Sequence, residues 1–329
     1  MHSKPCVFMI VIALLAVALL PVAATGAQEV GSYPSRPVRM IVPFSPGGGS
    51  DIVGRVVAQG LSDQWGQTVV VDNRPGAGST VGTGIASRAN SDGYTVMVSS
   101  SAISSSPALY KKLPFDITKD FLPITLIASQ PSVLAVNPEV GVISVSELIA
   151  LAKAEPGKLA FASAGVGSAT HLGSELFRVK AGIKLVHVPY KSAGLAATAL
   201  LSGEVQVLMT NMATALPLVK AGRITGLGVT SQERSPLAPE LPTVSEAGLT
   251  GFEYSTWYGM LTPLGTPTPI TSKINKGVLA LLGSGASRQR LTDRGLSIHA
   301  TTSDDFGRFL RSEVAKWKQV TASAGIKAR

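Results

Sequence analysis

Val38-Arg39-Met40-Ile41-Val42-Pro43-Phe44 runs directly into Ser45-Pro46-Gly47-Gly48-Gly49-Ser50, and that into Asp51-Ile52-Val53-Gly54-Arg55-Val56-Val57. The first stretch is an apolar run of strand length. The second is too glycine-rich to continue it, and the third places Ile52, Val53, Val56, Val57 and Leu61 on one face at helical spacing. The segment predicts a buried strand over 38–44, a loop over 45–50 and a helix over 51–65. The rhythm then recurs, with a strand over 68–71, a loop over 73–78, a helix over 79–89 and a strand over 95–99 that opens into the polar stretch Ser99 to Ser106. Buried strands alternating with helices predict an α/β fold whose parallel sheet is covered on both faces.

Downstream, Ile124 to Ala128 and Val133 to Val136 are two apolar segments with a short turn region between them, read as the crossing into a second domain. There the rhythm restarts. Ser144 caps a helix that ends near Glu155-Pro156-Gly157, followed by a strand over 159–163, a loop over 165–168 and a helix over 169–181. Further strands fall at 185–188, 205–209 and 224–229, with helices near 194–201 and 213–221. The proline-rich stretch 235–242 and the segment 252–263 return the chain to the first domain. Two amphipathic helices, 270–282 and 304–320, are expected to pack there; Phe306, Phe309, Leu310, Val314 and Trp317 form the core stripe of the second. The expected division is residues 28–128 plus 250–329 for domain one and 129–249 for domain two.

The N-terminus bears on compartment. Lys4 precedes an unbroken apolar run from Val7 to Leu20, closed by Pro21 and small residues up to Ala27. The run falls short of the ~20 residues a spanning helix needs, and its flanks are those of a cleaved signal peptide, cut near Ala27. Export to the periplasm follows. Cys6, the one cysteine, leaves with the signal, so the mature chain has neither thiol chemistry nor disulfides. Removing Lys4 lowers the net charge from +9 to +8, a field that favours anionic partners. Nucleic acid is a poor candidate, because the basic residues are dispersed, Lys111 and Lys112 stand as an isolated pair, and no aromatic residues interleave with them.

In open parallel sheets, ligands bind beyond the carboxyl ends of the strands, where loops and helix N-termini offer backbone amides to an anion. Two loops fit. Pro46, Gly47, Gly48, Gly49, Ser50 and Asp51 follow the first strand of domain one; Ser163, Ala164, Gly165, Val166, Gly167 and Ser168 follow the corresponding strand of domain two. Each taken alone also reads as a tight turn with a capping residue, but one loop per domain points to a carboxylate held between them. Nucleotide motifs fail on spacing, since the third position of the dinucleotide fingerprint is Ile52, Val81 or Thr170 in the three glycine loops. There is no HExxH pairing, no nucleophile elbow and no phosphate loop. His171 and Glu175 share a helix face, a packing or local hydrogen-bonding pair rather than a zinc site, and His187 reads as a core strand residue. No cofactor and no metal are expected.

Several motifs together resemble one family. Tyr33-Pro34-Ser35-Arg36-Pro37-Val38-Arg39, Val42-Pro43-Phe44, Pro46-Gly47-Gly48 and Asp51 are similar to the opening of the Bug-type periplasmic receptors of tripartite tricarboxylate transporters. The likeness continues through Asn73-Arg74-Pro75-Gly76-Ala77-Gly78, Asp92-Gly93-Tyr94-Thr95, Leu113-Pro114-Phe115-Asp116, Pro156-Gly157-Lys158-Leu159, His187-Val188-Pro189-Tyr190-Lys191 and Pro242-Thr243-Val244-Ser245-Glu246-Ala247-Gly248. It implies a two-domain periplasmic binding protein, a Venus flytrap of type II kind, with a mostly parallel sheet flanked by helices in each domain and a ligand cleft between them. It also implies a non-enzymatic, monomeric receptor that delivers a small carboxylate to integral-membrane permease subunits. The implied contacts are Phe44 to Asp51, the loop Ser163 to Ser168, Ser100 and Asn211. Ser45, Thr210 and Ala213 depart from the residues usual in the family. The competing readings are a solute-presenting accessory of a membrane sensor kinase and a periplasmic hydrolase using one of the serines.

Overall fold

β1 (Val38–Val42) forms the centre of a parallel ladder, with β2 (Val69–Asn73) on one side and β3 (Thr95–Ser100) on the other. The computed structural model describes residues 33–283, 285–326 and 328, so the expected signal segment and its expected cleavage near Ala27 lie outside the described residues. Helix α1 (Gly49–Trp65) follows β1 and α2 (Thr80–Ser87) follows β2, as the alternation requires.

β3 leads into a third helix, α3 (Ala102–Leu109), where the sequence suggested only a polar stretch. Its serines are buried and turn back onto their own helix. Ser104 Oγ donates to the Ser101 carbonyl at 2.6 Å, and Ser105 and Ser106 donate to that of Ala102 at 2.9 and 3.2 Å. A hydroxyl satisfied by the preceding turn can be buried at little cost, which a reading of polar runs does not anticipate.

The expected crossing between domains is one continuous strand, β4 (Phe121–Val136), rather than two segments and a turn. Its first part pairs antiparallel with β9 (Ser255–Pro263) and β10 (Ser297–Ile298). Its second part pairs antiparallel with β7 (Val207–Asn211) and β8 (Thr225–Val229). The exchange falls at Pro131, which is matched to Ser255 of β9, while the next residue, Ser132, is matched to Asn211 of β7. Proline has no N–H to give a ladder, so it is tolerated where a strand changes partners. Pro123 likewise sits beside a register shift.

Beyond β4 the parallel pattern resumes, with β5 (Ala160–Ser163) between β6 (Val186–Pro189) and β7. The helices here are α4 (Val145–Ala154), α5 (Ala169–Ala181), α6 (Ala193–Leu201) and α7 (Met212–Lys220). The sheet order is β2-β1-β3-β9-β4-β7-β5-β6, parallel within each half and antiparallel where β9 and β4 join them.

The C-terminal helices are α8 (Thr268–Gly283), α9 (Ala286–Thr292) and α10 (Ser303–Ser323). α8 packs tightly on α1, where a β-carbon on Gly60 would stand 2.2 Å from Leu281. α10 was expected on the first half alone, yet it reaches both cores. Phe306, Leu310 and Val314 join Ile41, Met97 and Trp257, whereas Trp317 and Val320 join Phe161, Leu172, Phe177 and Met209. At 1.5 Å per residue a helix of this length spans about 30 Å, enough to underlie both halves. Buried Glu313 accepts the indole N–H of Trp257 at 2.9 Å and that of Trp317 at 3.4 Å, tying one core to the other.

Candidate functional site

Three loops at the carboxyl ends of β1, β2 and β5 make the candidate site. The first joins β1 to α1. Gly48 occupies the N-cap of this 17-residue helix, and no side chain caps it. The first helical bond runs from Ile52 N–H to the Gly48 carbonyl at 3.0 Å. Among the described residues, the amides of Gly48, Gly49, Ser50 and Asp51 therefore meet no acceptor. Four unsatisfied donors at the positive end of a helix form a place for an anion.

Asp51 spends its carboxylate on the loop itself. Oδ2 accepts the Gly47 N–H at 2.9 Å and Arg55 Nε at 3.0 Å, and Oδ1 accepts Asn73 Nδ2 at 2.9 Å. Asn73 also donates to the Phe44 carbonyl at 3.1 Å, so the two ends of the loop are tied to the end of β2. Gly47 adopts φ +83°, a conformation that favours glycine, as the backbone turns toward Asp51. Burial pushes the Asp51 carboxyl up, but the hydrogen bonds from Arg55, Gly47 and Asn73 outweigh it and hold the group below the usual carboxylate range. Pro46 is exposed at the loop surface. Ser50 and Ser100 are both buried, at the start of α1 and the end of β3, and their hydroxyls bond to no protein group among the described residues.

The second loop, between β5 and α5, answers most of its amides from within. Ser163 Oγ accepts the Gly165 N–H at 3.1 Å and pairs with His187 Nε2 at 2.6 Å. The Ala164 amide donates to Thr170 Oγ1 at 2.8 Å, and the Gly167 amide to His171 Nδ1 at 3.3 Å. Ser168 caps α5 by accepting the His171 N–H at 3.3 Å, and its own amide donates to the Gly165 carbonyl. Of the loop's amides, that of Val166 has no acceptor among the described residues. The two histidines buttress the loop from below, with ring centroids 4.3 Å apart and Phe161 stacked 4.8 Å from His187. Nearby, Asn211 caps α7 through Oδ1, which accepts the Thr214 N–H at 2.9 Å, and its Nδ2 has no protein acceptor among the described residues.

A third loop, after β2, was not singled out as part of the site by sequence reasoning. Gly76, Ala77, Gly78 and Ser79 all have positive φ, including two residues with side chains, at 44° for Ala77 and 86° for Ser79. Such backbone is retained only where its surroundings hold it, at about 1–3 kcal/mol for each non-glycine residue. Tyr110 supplies one hold, its hydroxyl donating to the Ala77 carbonyl at 2.8 Å. A β-carbon on Gly78 would lie 2.9 Å from that hydroxyl and 3.7 Å from the Val166 carbonyl, so this loop meets the second glycine loop directly. Its sequence signal was present in the motif Asn73 to Gly78. Among the described residues, no three His, Cys, Asp or Glu side chains gather as metal ligands, and no helix is long and apolar enough to cross a membrane.

Residues 53–326 match the family described as "Tripartite tricarboxylate transporter family receptor". The chain belongs to that family. This receptor is 35% identical over 321 residues to BugT of Bordetella pertussis, across 96% of this chain and 98% of that one. The R. palustris protein Rpa4515, solved with adipate, is 34% identical with a TM-score of 0.82, covering 90% of the receptor and 100% of its own chain. MatC from Rhodopseudomonas palustris, solved with bound malate, is 30% identical with a TM-score of 0.78, covering 88% and 99%. The mixed α/β architecture is thus that of the periplasmic binding proteins, as the sequence motifs implied.

Proposed function

We propose that this receptor captures a small carboxylate in the periplasm and delivers it to the permease subunits of a tripartite tricarboxylate-type transporter, without chemical turnover. The observation that carries the reading is the uncapped N-terminus of α1, with the amides of Gly48, Gly49, Ser50 and Asp51 unspent. A hydrogen bond to a charged group contributes about 1.5–3 kcal/mol, and the helix terminus adds about 0.3–2 kcal/mol for an anion. Two such bonds and the dipole together supply about 3–8 kcal/mol, a large part of what holding a solute requires, with the facing loop and the hydroxyls beside it adding the rest.

In this reading, residues 28–128 with 250–329 and residues 129–249 act as two domains that close on the solute. One carboxylate sits on the loop Phe44 to Asp51, beside Ser100, and the loop Ser163 to Ser168 with Asn211 closes over the remainder. The Val166, Ala169 and Thr170 amides and Asn211 Nδ2 are donors left for a second polar group. The adipate and malate in the two solved relatives are both dicarboxylates, which supports a ligand of that kind. The test is calorimetric titration of the mature protein, unfolded to release any ligand and refolded, against succinate, malate, adipate, citrate, glutamate and benzoate. A saturable heat with at least one carboxylate is the expected result, and silence across the panel overturns the reading.

A further inference from the structure

Tyr258, on β9, lies opposite Ser100 of β3 in the antiparallel ladder. Its side chain crosses to α1 and places the hydroxyl against Gly49, so closely that a β-carbon on Gly49 would stand 2.1 Å from the phenolic oxygen. Gly49 does not have a positive φ. Its lack of a side chain serves space rather than backbone conformation, and the space is taken by Tyr258.

The residue is 5% exposed, yet its hydroxyl has no hydrogen-bond partner among the described residues. Tyr254, just before the same strand, shows the ordinary behaviour of a buried tyrosine, its hydroxyl donating to the Ala169 carbonyl at 2.7 Å. Leaving a buried polar group without a partner costs about 1–3 kcal/mol, so an unspent hydroxyl held beside an unspent helix N-terminus points to a partner that arrives from solution. The hydroxyl of Ser79, by contrast, is sealed from solvent. That of Tyr258 lacks a partner without being sealed.

We infer that Tyr258 is a ligand-binding residue whose hydroxyl donates a hydrogen bond to the carboxylate oxygen seated on the N-terminus of α1, alongside the Ser50 and Ser100 hydroxyls. Burial pushes the phenol up to about 12, so it stays protonated and donating throughout the physiological range. A neutral donor at this point favours an anionic oxygen and offers no counter-charge to an ammonium or guanidinium group. Gly49 and Tyr258 form a matched pair, in which the glycine admits the hydroxyl and the hydroxyl completes the donor set.

This inference rests on the carboxylate reading, and the experiment separates the two. Wild type and Tyr258→Phe are titrated with succinate, malate, adipate, citrate, glutamate and benzoate. In parallel, the wild-type tyrosine Cζ carbons are followed by NMR with 13C-labelled tyrosine. The chain has six tyrosines, and the resonance missing from the variant assigns Tyr258. Loss of one hydrogen bond to a charged group is expected to weaken the best carboxylate about ten- to hundredfold, with the thermal midpoint of the ligand-free protein raised rather than lowered, because the variant removes an unpartnered buried hydroxyl. The Tyr258 Cζ resonance is expected to move on addition of that carboxylate, a response that a purely packing role would not give. Wild-type binding with equal affinity in the variant and a stationary Cζ resonance would overturn the inference and leave the carboxylate reading standing. No binding by wild type would overturn both. Should the variant fail to fold, the wild-type NMR titration still decides the matter, assigned by comparison with Tyr254→Phe and the other single tyrosine variants.

Discussion

The two glycine loops occupy equivalent places, each after the first parallel strand of its half and each opening a helix, yet they treat their backbone amides differently. In Ser163 to Ser168 three amides are answered by a neighbouring side chain, Thr170 for Ala164, Ser163 for Gly165 and His171 for Gly167. The amides of Val166 and, in the first turn of α5, Ala169 and Thr170 meet no acceptor among the described residues. In Pro46 to Asp51 one amide, that of Gly47, is answered, and the four that follow are left open. From the N-cap to the third helical residue, α1 leaves all four amides open among the described residues, and α5 leaves two, those of Ala169 and Thr170. Ser168 at the N-cap of α5 supplies a side-chain oxygen, while Gly48 at the N-cap of α1 has none to supply. The loop that leaves more of its amides open offers the stronger place for an anion.

Asp51 separates the two roles most sharply, because it holds the open loop in shape without closing it. Asp51→Ala removes the acceptor for Gly47, Arg55 and Asn73 at once. It is expected to lower unfolding free energy by about 2–4 kcal/mol, as for three donors left without their buried acceptor and with the exposure of Arg55 allowed for. Carboxylate binding should be lost with it, both readable by denaturant melts and calorimetry. A stable variant with weakened binding would make Asp51 a ligand contact instead of a brace.

The same brace has a pH signature. The Asp51 carboxyl is held below its unfolded value of about 3.9. Its contribution is therefore complete above that value and is lost as pH falls through the folded one, because the unfolded chain then binds the proton more readily. Acid titration of the unfolding free energy should show a fall below about pH 4 that Asp51→Asn reduces. An identical acid limb in the variant would remove Asp51 from the account.

Ser168→Ala is the smallest and the most pointed of these tests. As loss of an N-cap it is expected to cost about 1 kcal/mol of stability, with the dissociation constant shifting by less than about tenfold because the anion sits on the other loop. A larger loss of affinity than of stability would place the ligand's carboxylate on the second loop and invert the comparison.

Much of this was legible in the sequence. The strand, glycine run and helix over residues 38–65 could be read because buried strands and amphipathic helices have distinct periods, and both glycine loops follow from where such units change direction. Illegible parts share a cause, which is that tertiary partners decide them. Pro123 and Pro131 punctuate β4 in sequence, but the strand runs on because its partners change there. The serines of α3 look like loop until their hydroxyls find carbonyls one turn back. Trp317 belongs to the aromatic stripe of α10 by spacing, yet nothing in that spacing says it enters the other core. Tyr258 was invisible as a site residue because its meaning depends on Gly49, a position remote in the chain and adjacent in the fold.

The central claim is that the ligand's carboxylate rests on the open amides of the first loop. A crystal structure of the receptor with the tightest-binding acid of the panel tests it most directly. The expected result is a carboxylate whose oxygens lie about 3 Å from amide nitrogens within Gly48 to Asp51, with the Tyr258 hydroxyl in reach of the same group. A carboxylate held by the Ser163 to Ser168 loop, with the N-terminus of α1 occupied by solvent alone, would contradict it.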